Sequence, residues 1–246
     1  MKPDLQSADG VSSGVEQTLN GTGYMISTLD EISSRFVDWA ASEIPWPVLD
    51  IGAAFGVATH AVLQEGVRVV ANDIDPRHLD ILQKRTPKKL QPLLKIAPGA
   101  FPDDLHFEPG TFSGILLSRV LHFFSGPQVE RALDTLYKWL IPGGKAFVVV
   151  EASLFLDKPP LRAQYELQLE AGFNWPGFVE NVKELLPKRA AFVPDQLHYL
   201  SPERLSRAFQ EAGFVVETAH TFRREDVSGT KHDEPRESVG VIARKP

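Results

Sequence analysis

The stretch Val48-Leu49-Asp50-Ile51-Gly52-Ala53-Ala54-Phe55-Gly56-Val57-Ala58-Thr59 limits what this chain can fold into more than any other. A short apolar strand runs into a loop of small residues and then into a helix. At such a corner, backbone amides and a helix N-terminus can approach a polar small molecule, because no side chain stands between them. Asp50 opens the loop, and a second acidic group, Asn72-Asp73-Ile74-Asp75-Pro76, closes the next apolar run. An acid after the second strand is placed to accept hydrogen bonds from a ribose diol. Together the two features predict a seat for a nucleoside cofactor.

The rest of the chain alternates in the same way. Strands are predicted at Val48 to Ile51, Val67 to Asn72, Leu93 to Ile96, Phe112 to Ser118, Lys145 to Val150, Phe214 to Thr218 and Val239 to Ala243. Helices fall between them. One begins at the capping-box spacing Thr28-Leu29-Asp30-Glu31, with Ile32, Phe36, Val37 and Ala40 on one face. Others begin after Gly56, at Pro76 with Asp75 as its cap, after Gly126-Pro127, and at Ser201-Pro202, the last closed by Gly213. Pro142-Gly143-Gly144 is a tight turn. Strands apolar on both faces and separated by helices predict a sheet covered on both sides. The fold class is α/β: a seven-stranded, mostly parallel, doubly wound (Rossmann-like) sheet with a helical insertion after strand 5. Residues 28–151 and 200–246 form the sheet domain. Residues 152–199 form a helical, aromatic insertion carrying Phe155, Tyr165, Phe173, Trp175, Phe178, Phe192 and Tyr199. Residues 1–27 are a polar leader, or a flap that orders over a ligand.

Composition narrows the function. The 246 residues contain no cysteine, which excludes disulfides, thiolate zinc sites and a catalytic thiol, and which fits a reducing, cytoplasmic setting. The first twenty residues hold no apolar signal segment, and the longest apolar runs are strand-sized, so no membrane partner is expected. The net charge of -6 argues against nucleic acid. The one basic run, Lys84-Arg85-Thr86-Pro87-Lys88-Lys89, is expected to be a solvated helix end. The seven histidines show no ligand spacing, so no metal is expected.

Five segments, in order and spacing, resemble the class I S-adenosylmethionine-dependent methyltransferases. They are Leu49 to Gly56, Asn72 to Pro76, Val120-Leu121-His122-Phe123-Phe124, Leu140-Ile141-Pro142-Gly143-Gly144-Lys145-Ala146-Phe147, and Leu200 to Leu205 with Glu211-Ala212-Gly213-Phe214. The resemblance implies S-adenosylmethionine as cofactor and S-adenosylhomocysteine as product. It implies methyl transfer by in-line displacement to an oxygen or nitrogen of a small-molecule acceptor. Asp50, Gly52, Ala54, Gly56, Asp73 and Ile74 match the cofactor-holding positions, with Ala100 and Phe101 near adenine and Ser118 at the end of strand 4.

Three positions depart from the family pattern. Ala54 replaces the middle glycine, Ala100 stands where an acid often holds the adenine amino group, and Ser113-Gly114 replaces an acid at the start of strand 4. They keep open a rival reading, a non-catalytic relative of these enzymes serving as a scaffold or nucleoside-binding module. A nicotinamide oxidoreductase would want a Tyr-x-x-x-Lys pair, which is absent, and no Asn/Asp-Pro-Pro-Tyr segment follows strand 4. His122 is the candidate general base, since imidazole titrates near neutrality. Candidate acceptor contacts are Arg119 beside it, Tyr24 before the first helix, and Trp175, His198 and Tyr199 in the aromatic insertion.

Overall fold

The computed structural model describes residues 15–21, 24–43, 45–151, 158–190, 193–223 and 238–246. Seven strands form one sheet: β3 (Val48–Ile51), β4 (Val69–Asp73), β5 (Leu94–Pro98), β6 (Phe112–Ser118), β7 (Leu140–Glu151), β10 (Val215–Phe222) and β11 (Ser238–Arg244). Their spatial order is β10-β11-β7-β6-β3-β4-β5. β3, β4, β5, β6 and β7 pair in parallel, and β11 runs antiparallel to both β7 and β10. The sheet is therefore mostly parallel and doubly wound. The chain turns one way through β3, β4 and β5 and then returns to the other side of β3 as β6. That reversal leaves a crevice outside the carboxyl ends of β3 and β6, where ligands bind in sheets of this kind.

Alternate residues of each strand face opposite layers. Leu49, Ile51, Ile115, Leu117, Val148 and Val241 pack against the layer of α4 (Gly126–Trp139) and α7 (Pro202–Glu211). Val48, Leu116, Phe147 and Ile242 pack against α1 (Glu31–Ser42) and α2 (Val57–Gln64). Each large apolar side chain so buried contributes about 1.5–3 kcal/mol. α3 (Pro76–Arg85) covers the β4 side through Leu79 and Leu82.

Several local expectations change. The cap of α1 is Asp30, whose Oδ1 accepts from Ser33 N at 2.8 Å, and not Thr28. Pro142-Gly143-Gly144 is not a turn ahead of the strand; it is an irregularity inside β7, with Gly143 N and Gly144 O bonded to Lys245. Part of the leader is ordered: β1 (Val15–Gln17) pairs antiparallel with β2 (Tyr24–Ile26), and Arg85 holds Glu16 at 2.9 Å.

The insertion is not wholly helical. It has α5 (Pro159–Glu170), a short α6 (Val182–Leu185), and a two-stranded ribbon of β8 (Phe178–Val179) and β9 (Leu197–His198) around Leu161, Val179, Val182, Val193 and Leu197. Residues 1–14, Gly23, the Tyr24 side chain, Phe155 and Phe192 lie outside what is described.

Candidate functional site

The crevice begins with the loop after β3. Gly52 stands at φ +73°, and a Cβ there would lie 2.4 Å from Val120 Cγ2. The loop is thus pressed against the segment after β6 and admits no side chain. Gly56, at φ +90°, caps α2, and a Cβ would meet Leu82 Cγ at 2.6 Å. Between them Ala54 adopts φ +46°, the left-handed conformation that the family's glycine would take more cheaply. Asp50 is buried beneath the loop, where Thr59 Oγ1 donates to its Oδ2 at 2.6 Å. Burial pushes the Asp50 carboxyl up to about 6, against that hydrogen bond.

Asp73 ends β4 on the same edge. Its Oδ2 accepts from Ala54 N at 2.9 Å, and its Oδ1 accepts from Asp75 N at 2.9 Å and from His78 Nδ1 at 3.1 Å. A carboxylate has about four lone-pair positions, so three donors leave room for one further hydroxyl on Oδ2. Beside it Ile74 is 64% exposed, an apolar face open at the edge of the sheet. Asp75 turns away as the cap of α3. Asn72 Nδ2 reaches the carbonyls of Ala97 and Gly99, which ties the following loop to β4. In that loop the Ala100 amide is already given to Asp104 Oδ2, and the Phe101 ring is buried against Phe124 and Trp139.

The segment after β6 brings the next candidates. Ser118 closes the strand, and Arg119, at φ +57°, extends its guanidinium to Asp30 Oδ2 at 2.9 Å and Ser118 Oγ at 3.3 Å. His122 is buried in the short turn Leu121–Phe123. The insertion leans on that turn: Gln196 Nε2 donates to Phe123 O, and His198 Nδ1 lies 2.8 Å from Phe124 O.

Of the candidate acceptor residues in the insertion, His198 and Trp175 are in ring contact. His198 is buried between the rings of Trp175 and Phe178, and burial lowers its pKa to about 4. Trp175 works as an anchor. Its ring covers Gly126, its Nε1 donates to Glu130 at 2.7 Å, and the Arg204 guanidinium sits 3.7 Å over it. Tyr199 meets Tyr165 edge-on. The backbone of Tyr24 pairs with Gln17 in the N-terminal hairpin. Sequence reading passed over His78, Leu19 and Thr59. The one available signal was a histidine next to Leu79 on the buried face of α3.

A doubly wound sheet with a glycine loop at its switch point and an acid at the end of the neighbouring strand defines a nucleoside-cofactor-binding α/β protein. The residues present fit an adenosyl group: the loop tolerates no Cβ at Gly52 or Gly56, Asp73 keeps an acceptor position, and Ile74 offers an apolar surface.

Residues 48–144 match a family model described as a methyltransferase domain. The chain is 33% identical over 129 residues to a cypemycin N-terminal methyltransferase from Streptomyces, covering 50% of this chain and 51% of that protein. It is 25% identical over 195 residues to ribosomal RNA small subunit methyltransferase A of Thermotoga maritima, covering 78% and 64%. The match thus spans about half of the first relative's length and under two thirds of the second's. A crystal structure of an S-adenosylmethionine-dependent methyltransferase from Methanosarcina mazei shares the fold, with TM-score 0.63 at 15% identity over 89% of this chain and 98% of that one. Residues 48–144 are therefore similar to a methyltransferase domain, and the chain shares its fold with solved S-adenosylmethionine-dependent methyltransferases. Among the described residues no helix is long and apolar enough to cross a membrane, and no group of three or more His, Cys, Asp or Glu is placed to hold a metal.

Proposed function

We propose that this chain transfers a methyl group from S-adenosylmethionine to an oxygen or nitrogen of a small-molecule acceptor. The observation that carries the reading is Asp73: an acid at the carboxyl end of β4, fastened to the glycine-loop amide of Ala54 and still able to accept a hydroxyl. The cofactor, when bound, supplies a methyl group already activated by its sulfonium. The chain's own work is therefore placement, which can supply about 7–11 kcal/mol of the barrier.

Asp73 accepts from the ribose, Ile74 and the backbone around Ala100 and Phe101 face the adenine, and Gly52, Ala54 and Gly56 let the main chain approach. Asp50 is the counter-charge beneath the loop, and Ser118 and Arg119 stand at the crevice mouth. His122 takes the proton when the nucleophile arrives protonated. Residues 152–199, seated on the turn that carries His122, form the acceptor wall and exclude water, with Trp175, His198 and Tyr199 as its aromatic frame. Residues 28–151 and 200–246 are the catalytic unit, and residues 1–27 the flap that carries Tyr24.

A relative named for an N-terminus makes amines the first acceptors to screen. A relative named for ribosomal RNA speaks for nucleic acid, but a net charge of -6 opposes phosphate binding. The test is calorimetry of the full chain with S-adenosylmethionine and S-adenosylhomocysteine, followed by a metabolite screen with a labelled methyl donor. Binding of both, with label in a small amine or alcohol, supports the reading. A folded chain that ignores both compounds is a scaffold. RNA binding that weakens steeply with salt would move the acceptor to nucleic acid.

A further inference from the structure

We infer that His78 is a positioning residue that couples the docking of the N-terminal hairpin to the carboxylate of Asp73, and through it to the cofactor loop. The inference rests on the proposed role of Asp73 only for its consequence in cofactor binding; the coupling itself is a property of the chain.

His78 is 1% exposed and has both ring nitrogens engaged. Its Nε2 accepts from the backbone N–H of Leu19 at 2.9 Å. A ring nitrogen that accepts carries no proton, so the proton sits on Nδ1, where it donates to Asp73 Oδ1 at 3.1 Å. The Leu19 amide and the Asp73 carboxylate therefore favour the same tautomer. Asp73 in turn accepts the Ala54 amide on its other oxygen at 2.9 Å. Three hydrogen bonds join the hairpin to the glycine loop: Leu19 to His78, His78 to Asp73, and Ala54 to Asp73.

The connection is built on both sides. Arg77 Nη2 donates to Leu19 O at 3.2 Å, so neighbouring residues of α3 hold both backbone polar groups of one hairpin residue. The Phe55 ring packs edge-on against His78 at 5.1 Å and fixes the plane of the imidazole from the loop side. If the Leu19 amide withdraws, the imidazole loses the contact that holds it from the hairpin side, and only Asp73 and the Phe55 ring still fix it. The His78 donor then moves relative to Asp73 Oδ1, and the acceptor position on Oδ2 moves with the carboxylate. By linkage, whatever binds at Asp73 also favours the docked hairpin.

Leu19 permits a clean test. It is the second residue of the turn Thr18 to Gly21, closed by Gly21 N to Thr18 O, a position that accepts proline. Leu19→Pro removes the N–H and keeps the turn, whereas Leu19→Ala keeps the N–H and removes the side chain. Two readouts need no ligand: the ¹⁵N shifts of the His78 ring, and the exchange rate of the Ala54 amide. Leu19→Pro is expected to shift the His78 ring ¹⁵N resonances, Nε2 most, and to speed exchange at Ala54 several-fold. It should also weaken S-adenosylhomocysteine binding by about 3–10-fold, the range for one lost hydrogen bond. Leu19→Ala should leave all three near the parent chain. Unchanged His78 ring shifts and unchanged Ala54 exchange in Leu19→Pro overturn the coupling whatever the ligand does. If the parent chain binds no S-adenosylhomocysteine, the cofactor reading falls, and the two ligand-free readouts still decide the coupling.

Discussion

Ala54 gives its amide to Asp73 Oδ2 at 2.9 Å while standing at φ +46°. Left-handed backbone costs an L-residue about 1–2 kcal/mol, and the hydrogen bond to a buried carboxylate offsets it. The departure from the family's glycine therefore leaves the loop in the glycine conformation, under strain. Ala54→Gly should relieve that strain and return part of the gain as unfolded-state entropy, for a net stabilisation of about 1 kcal/mol. A higher urea midpoint at an unchanged slope is the expected result. A lower midpoint would mean that the methyl group, nearly buried here, packs more favourably than the backbone is strained.

Gly52 is constrained twice, by its φ of +73° and by Val120 Cγ2 2.4 Å from the position of an added Cβ. Gly52→Ala should cost more than about 2 kcal/mol, since overpacking and left-handed strain each contribute at least about 1. Val120→Ala in the same chain should return only the steric part. Denaturation of the two single variants and the double variant gives that coupling directly. Equal losses in the single Gly52→Ala and double variants would place the whole cost in the backbone.

Where a signal is local, the sequence shows it. Asp75 before Pro76 and Ser201 before Pro202 cap the helices they announce, and the apolar run at Val48 to Ile51 is a strand buried along its length. The glycine loop and Asp73 are legible for the same reason, because their conformations and spacing are written in adjacent residues. What the sequence hides is decided by distant partners. Thr28 and Asp30 both suit a cap, and Asp30 is the cap, with its other oxygen paired to Arg119 far along the chain. Pro142-Gly143-Gly144 looks like a turn, but bonds to Lys245 keep it within β7. The two-residue strands β8 and β9 are too short to carry a period. Trp175 has the composition of a pocket wall, yet Glu130 and Arg204 make it an anchor.

His122 should affect turnover and not cofactor affinity. It lies in the turn after β6, beside the insertion, and not in the glycine loop or in the strands β3 and β4 that carry Asp50 and Asp73. His122→Asn is expected to lower the turnover of a protonated acceptor by about 10²–10⁴-fold, the usual range for a lost general base. S-adenosylhomocysteine affinity by calorimetry should stay unchanged. A variant with full turnover would leave His122 a packing residue.

Asp50 should make the chain less stable as pH rises. Burial lifts its carboxyl to about 6 in the folded state, whereas the unfolded value is about 3.9. Between those values the folded chain holds a proton that the unfolded chain has released, so stability falls through this window and stays lower above it. Asp50→Asn still accepts from Thr59 Oγ1 and does not ionise. It should gain on the order of 2 kcal/mol at pH 7.5 and little at pH 4. It should also bind S-adenosylmethionine more weakly, through loss of a negative charge near the loop. Equal stability changes at the two pH values would show that the carboxyl is not desolvated.

His198 should act with the opposite sign, and locally. Burial holds its pKa near 4, against an ordinary value of about 6.5. As pH falls through that interval the unfolded insertion takes up a proton that the folded one refuses, so stability is lost progressively, on the order of 3 kcal/mol once pH is below 4. The cost falls on the ribbon of β8 and β9, where His198 meets Phe124 O and the rings of Trp175 and Phe178. Because Asp50 gains stability over nearly the same interval, global unfolding should change little while the insertion loosens. Amide protection factors, corrected for the intrinsic slowing of exchange, should fall in residues 178–179 and 197–199 on going from pH 7 to pH 5, with β3 and β6 still protected. His198→Gln offers Phe124 O an amide donor in place of the ring N–H and does not titrate, so exchange in its insertion should follow only the intrinsic dependence on pH. A parallel loss of protection in the sheet would show that the insertion and the core open as one unit.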